Sequence, residues 1–323
     1  MLRLRCAIIH CMTNCVLAGV AFAQTPYPSK PIRVVNPFPP GGSIDVVARP
    51  VFDRLRLPLG QPLIMDFRPG GGTIIGASIV AKSPPDGYTL YAAAGQHAII
   101  QSVYRKLPFD VTHDFAPVVN LATGPYVLVI HPSVPAKSVK ELLALAKAAP
   151  GKLNFSSAGS GSGFHMAGEL LKLIAKIDIA HIPYSGGAPA AIAVLSGEVD
   201  MTFGSPAVLL SHMKSGRARA IAVSTLQRFA PLPDVPTMAE AGLPGFEAAS
   251  WYGLFAPAGT SREVIEKLVT EINTVLKSQE IRQVFDKLSL EPAGGTAEEF
   301  RTLFVKDMER WAKVAKSANV RID

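Results

Sequence analysis

The sequence predicts an α/β protein of two hinge-linked, doubly wound lobes, and three observations carry that prediction. Short apolar runs alternate with amphipathic segments twice along the chain, the pattern of strands joined by helices in a mainly parallel sheet. Two glycine-serine loops, residues 37–43 and 156–163, each close an apolar run and open an amphipathic segment. The chain has 323 residues, 48% hydrophobic and 18% charged, which is long enough for two cores and too apolar for disorder. A loop that ends a strand and starts a helix presents unpaired N–H groups at the positive end of the helix dipole, so each loop is an anion cradle. Two cradles in separate units point to one small anion gripped from both sides.

Taken in order, Ile32-Arg33-Val34-Val35 reads as a strand and Ser43 through Leu55 as its helix, with Val46, Val47, Val51 and Leu55 at helical spacing. Leu63-Ile64-Met65 is a second strand, Thr73 to Lys82 a second helix, and Tyr88-Thr89-Leu90-Tyr91 a third strand. The buried run Tyr126-Val127-Leu128-Val129-Ile130 starts a fresh α/β pattern. Ser138-Val139-Lys140-Glu141 is a capping box for a helix that Pro150-Gly151 stops. Leu153-Asn154-Phe155 then feeds the second glycine-serine loop and a helix from His165. Residues 179–183, 199–203 and 220–223 are further strands. After a proline-rich stretch from Pro231 to Pro244, Trp251 through Ala256 reads as a strand returning to the first unit. Capping boxes at Thr260-Ser261-Arg262-Glu263 and Thr296-Ala297-Glu298-Glu299 predict two closing helices, the last with Phe300, Phe304, Trp311 and Val314 on a core-facing side. Residues 24–124 plus 250–323 therefore form lobe 1 and residues 125–249 lobe 2, with the two crossings as hinges.

Arg3 and Arg5, the apolar stretch from Cys15 to Phe22, and the small-x-small sequence Ala21-Phe22-Ala23 read as a secretory signal over residues 1–23, cleaved near Ala23. The expected location is periplasmic. Cys6, Cys11 and Cys15 all fall inside that segment, which leaves the mature chain without a thiol. The formal charge of +7 becomes +5 once Arg3 and Arg5 are gone. The basic residues are dispersed, Arg217-Ala218-Arg219 being the densest spot, which argues against nucleic acid as a partner. Beyond the signal, no apolar run approaches the roughly 20 residues that span a bilayer.

The motifs Pro37-Phe38-Pro39-Pro40-Gly41-Gly42-Ser43-Ile44-Asp45, Pro84-Pro85-Asp86-Gly87-Tyr88-Thr89-Leu90, Pro183-Tyr184-Ser185-Gly186-Gly187-Ala188 and Trp251-Tyr252-Gly253-Leu254-Phe255-Ala256-Pro257-Ala258-Gly259-Thr260 resemble the Bug-type solute receptors of tripartite tricarboxylate transporters, and the resemblance runs through the whole mature chain. It implies a type II-like periplasmic binding protein fold that closes on a small carboxylate (a di- or tricarboxylate or an aromatic acid) and hands it to membrane permease subunits, with no cofactor and no catalysis. A monomer is expected. Carried onto this chain, the first-lobe grip is Pro40, Gly41, Gly42, Ser43 and Asp45, and the second is Ser157, Gly159, Ser160, Gly161 and Ser162. Many family members carry an aspartate where this chain has Gly204; its absence disfavours a ligand ammonium and leaves room for a bulkier acid, unless Gly204 only makes a turn. A sensory receptor signalling to a membrane kinase, or an enzyme on the same fold, are the rival readings.

Other motifs are weaker. Gly159-Ser160-Gly161-Ser162-Gly163 has glycine where a nucleophile elbow needs serine, and the segment from Gly70 to Gly76 puts Ile75 at the third glycine of a dinucleotide loop. His165 and Glu169 share a helix face without a third metal ligand, so His165 either touches ligand or packs. His97, after the third strand, is either a ligand contact or a surface loop residue. Tyr184 stands at a further helix entrance where ligand contact is expected. Asp45, acidic beside an anion cradle, is expected to brace the helix start and its loop.

Overall fold

The computed structural model describes residues 26–322, so the expected signal segment and all three cysteines lie outside the described residues. Lobe 1 holds β1 (Ile32–Asn36), α1 (Ser43–Leu59), β2 (Leu63–Phe67), α2 (Ile74–Ala81), β3 (Thr89–Ala94), α3 (Gln96–Val103) and β4 (Phe115–Pro125). Lobe 2 holds β5 (Val127–Ile130), α4 (Val139–Ala148), β6 (Asn154–Ser157), α5 (Gly163–Ala175), β7 (Ala180–Pro183), α6 (Gly187–Ser196), β8 (Met201–Gly204), α7 (Pro206–Lys214) and β9 (Arg219–Val223). The chain then returns through β10 (Ala249–Pro257), α8 (Arg262–Leu276), α9 (Gln279–Lys287), β11 (Glu291–Gly294) and α10 (Ala297–Ser317). The sheets run β11-β4-β10-β3-β1-β2 and β7-β6-β8-β5-β9. Each is mixed: β1 lies parallel to β2 and β3, and β6 parallel to β7 and β8, whereas β10 and β5 run antiparallel to their neighbours. By β5 and β10 the chain enters each lobe from the other, and β11 lies antiparallel to β4 at the edge of the first sheet.

The closing segment differs from the sequence expectation. Three helices and a strand follow β10 rather than two helices. The short α9 escapes periodicity because Ile281 and Phe285 are its only buried residues. The first of these helices starts one residue late: Ser261 is the cap, accepting from Val264 N, while the Thr260 hydroxyl donates to the Pro257 carbonyl. The Thr296 box forms in full, with Glu299 N donating to the Thr296 hydroxyl and Thr296 N donating to the Glu299 carboxylate.

The crossings are fastened to each other at Ser224, which is fully buried. Tyr126, the residue between β4 and β5, donates its N–H to Ser224 Oγ at 2.8 Å and accepts from Ser224 N at 2.9 Å. Ser224 Oγ donates in turn to the carbonyl of Ala248, just before β10, and Ala248 N returns a bond to the Ser224 carbonyl. Helix α10 spans the same seam, packing on α3 of lobe 1 and α5 of lobe 2. One buried apolar cluster consequently runs from Val35 and Phe255 through Trp311 of α10 to Phe155 and Leu128 in lobe 2. Trp251 Nε1 donates to Asp307 Oδ2 at 2.8 Å, anchoring α10 to β10.

His97 lies inside this cluster, 1% exposed, with Tyr91, Phe115, Phe255 and Phe304 around its ring. It is neither on a surface loop nor on a cavity wall: the turn after β3 leads directly into α3, whose inner face carries it. Burial drops its pKa to about 3, and neither ring nitrogen has a hydrogen-bond partner. In the unfolded chain the ring charges near 6.5, so its contribution to stability is intact above that pH and is lost as pH falls from 6.5 toward 3. His97→Phe should raise stability at pH 7 by about 1 kcal/mol by removing two unsatisfied polar atoms, and its margin over wild type should widen at pH 5; urea unfolding at both pH values checks this. Ser224→Ala strands the Tyr126 N–H and the Ala248 carbonyl, and should cost about 1–3 kcal/mol in the same assay.

Candidate functional site

A cavity of about 500 Å³ opens where the two lobes face each other, lined from lobe 1 by the β1–α1 loop, Gln96, Tyr252 and the α9–β11 turn, and from lobe 2 by the starts of α5, α6 and α7. This is the crevice beyond the carboxyl ends of the strands, where open α/β sheets present helix N-termini to ligands. Larger hollows of about 710 Å³ beside α9 and β11 and about 540 Å³ between α3 and α10 are more open to solvent and belong to lobe 1 alone.

On the lobe 1 side, buried Asn36 ends β1 and bends the chain, its Oδ1 accepting from Phe38 N at 3.0 Å. Gly41 takes the left-handed conformation (φ 76°) that completes the turn. Asp45, 5% exposed, accepts from Gly41 N at 2.9 Å and pairs with Arg49 at 2.6 Å. Its charge is therefore spent on the loop and on a neighbouring cation, which answers how an acid stands beside an anion cradle. The cap residue of α1, Gly42, has no side chain to satisfy the helix, and the N–H groups of Ser43, Ile44 and Asp45 have no partner among the described residues. Burial raises the Tyr252 phenol above the usual range, and the neighbouring Ser250 and Ser43 oppose that rise.

On the lobe 2 side the loop is held from behind. Ser157 Oγ bonds Gly159 and lies 2.6 Å from His181 Nε2. His165 Nδ1 accepts from Gly161 N at 3.0 Å, and its ring stacks on His181 with centroids 3.8 Å apart. Burial, then the neighbouring His165, lowers the pKa of His181 to about 4. Burial alone would raise Glu169, but the Lys172 ammonium, bonded at 3.0 Å, and the His165 ring, 3.7 Å away, hold its carboxyl below the usual range. Ser162 caps α5 by accepting from His165 N, which leaves Gly163 and Phe164 N–H free among the described residues. At α6, Gly187 and Ala188 N–H are free and Pro189 has none to offer.

Of the residues expected to grip a ligand, Gly41, Gly42, Ser43, Ser162 and Gly204 line the cavity. The others do not. Pro40 and Ser160 point to solvent at the tips of their loops. Asp45, Ser157, Gly159, Gly161 and His165 stand behind the loops as their bracing; Gly161 is pressed against lobe 1, where a Cβ would lie 2.8 Å from Ile322 Cδ1. Tyr184 turns away, its hydroxyl donating to Glu198 at 2.9 Å. Gly204 leaves no spare room, since a Cβ there would lie 2.5 Å from Leu209 Cδ1. Sequence reasoning left Gln96, Val46, Phe164, Val208 and the Leu288 to Leu290 turn off its site. Pro206 at the first position of α7 was a legible helix start; the turn at residue 289 carried no signal. The cavity wall contains no Lys, Arg, His, Asp or Glu, and no group of three metal-ligating side chains occurs among the described residues. Within the cavity wall, positive potential comes from the helix N-termini.

A sequence profile described as the tripartite tricarboxylate transporter family receptor matches residues 47–320. BugT of Bordetella pertussis is 36% identical over 309 residues, covering 94% of this chain and 95% of that protein. Among solved structures, an R. palustris protein with adipate is similar at a TM-score of 0.82 and 35% identity, over 91% of this chain and 98% of that one. MatC from Rhodopseudomonas palustris with bound malate gives 0.79 and 30%, over 89% and 99%.

Asp45→Ala removes the acceptor for Gly41 N–H and the partner of Arg49. It should lower stability by about 1–3 kcal/mol while leaving the far-ultraviolet circular dichroism unchanged; unaltered urea unfolding would show that the loop holds its shape without it.

Proposed function

The chain belongs to the tripartite tricarboxylate transporter receptor family, and from that premise we propose that it is a periplasmic receptor that captures a small carboxylate between its lobes and delivers it to the permease subunits of such a transporter. Receptors of this family bind solutes and are not enzymes. The observation that carries the carboxylate reading is the uncapped start of α1 facing the free N–H groups of α5 across a cavity without charged side chains. Helix N-termini favour an anion by about 0.3–2 kcal/mol each. Micromolar affinity needs about −8 kcal/mol, so direct N–H bonds, the Ser43 hydroxyl and the desolvation that follows lobe closure supply the remainder. The adipate and malate bound by the two R. palustris proteins are of the same chemical class. Export with removal of residues 1–23 places the receptor where such a transporter collects its solute.

Calorimetry with a panel of mono-, di- and tricarboxylates tests capture, and solute uptake by permease-containing vesicles that depends on added receptor tests delivery. Ser43→Ala should weaken binding of the preferred acid about 10- to 100-fold, the value of one hydrogen bond to a charged group. Ser160→Ala should leave it unchanged. Equal affinities for wild type and the Ser43 variant would remove the α1 loop from the site.

A further inference from the structure

The helix starts that line the cavity differ in what they offer a ligand. At the α1, α5 and α6 starts, several N–H groups have no partner among the described residues. The α7 start offers almost none: Pro206 lacks an N–H, and the N–H groups of Val208 and Leu209 both bond the Ser205 carbonyl, which leaves Ala207 alone. What α7 presents instead is hydrocarbon. Leu209 fills the space beside Gly204, and Val208 stands 39% exposed on the wall. From lobe 1, Val46 of α1 is 40% exposed on the same cavity, and Leu288 and Leu290 close it from the α9–β11 turn. Exposed valines on both lobes of one cleft are surface that an apolar group would cover on closure.

Resting on the carboxylate receptor proposed above, we infer that the preferred ligand is a monocarboxylate with an uncharged apolar body, an aryl or alkyl acid. Its carboxylate sits at the α1 and α5 starts, and its body lies between Val46 and Val208. A ligand ammonium has no acidic side chain to meet. A second carboxylate set against α7 gives up its water for a helix start with one free N–H and no cation, a burial that goes uncompensated.

Calorimetry with matched probes tests this: hexanoate against adipate, and benzoate against benzene-1,4-dicarboxylate. The monoacid of each pair should bind at least tenfold more tightly. Val208→Asn and Val46→Asn, at half-exposed positions where the fold tolerates polarity, should each weaken the monoacids and narrow that gap, with melting temperatures unchanged. Tighter binding of the diacids, or a gap that neither variant moves, overturns the inference and leaves the carboxylate receptor standing. Failure of every acid in the panel to bind overturns both.

Discussion

Ser224 ties together the two places where the chain passes between lobes, and the cleft depends on that knot. Because its hydroxyl both accepts from Tyr126 and donates to Ala248, the strands leaving lobe 1 and returning to it cannot separate at their crossing. Motion is confined to rotation of one lobe against the other. Helix α10 reinforces the seam by packing on α3 and α5 at once, with Asp307 receiving the Trp251 indole and the Arg310 guanidinium. The starts of α1 and α5 thus face each other across a span fixed on one side, the geometry a closing receptor needs.

A cavity wall without cations follows from how the loops are braced. Ionisable groups are plentiful near the cleft, but they are turned inward: Asp45 onto Gly41 and Arg49, His165 onto Gly161, and Glu169 onto Lys172. They order the backbone rather than meet the ligand. Under the proposed function, a carboxylate held by those N–H dipoles would leave the cavity without breaking an ion pair to its wall. The same arrangement leaves the character of the rest of the cavity to Val46, Val208, Leu288 and their neighbours.

The sequence by itself did not determine α3, α7, α9 or β11, but it determined the two-lobed α/β class, the leading strand-helix units of each half and the two strand-to-helix loops. These rest on local rules: period, caps, and a glycine or serine where a strand must turn into a helix, all readable within a few residues of Gly42 or Ser162. It did not determine which loop residues face inward. Ser160 differs from Ser162 and Ser43 only in the direction the backbone carries it, and His97 is a buried ring because α3, β10 and α10 converge on it from segments far apart in the chain. The apolar end of the cavity is likewise a tertiary product, made where α7 of one lobe meets the Leu288 turn of the other. Local periodicity reports what a segment buries but not against what, and the second question is answered only when the lobes are assembled.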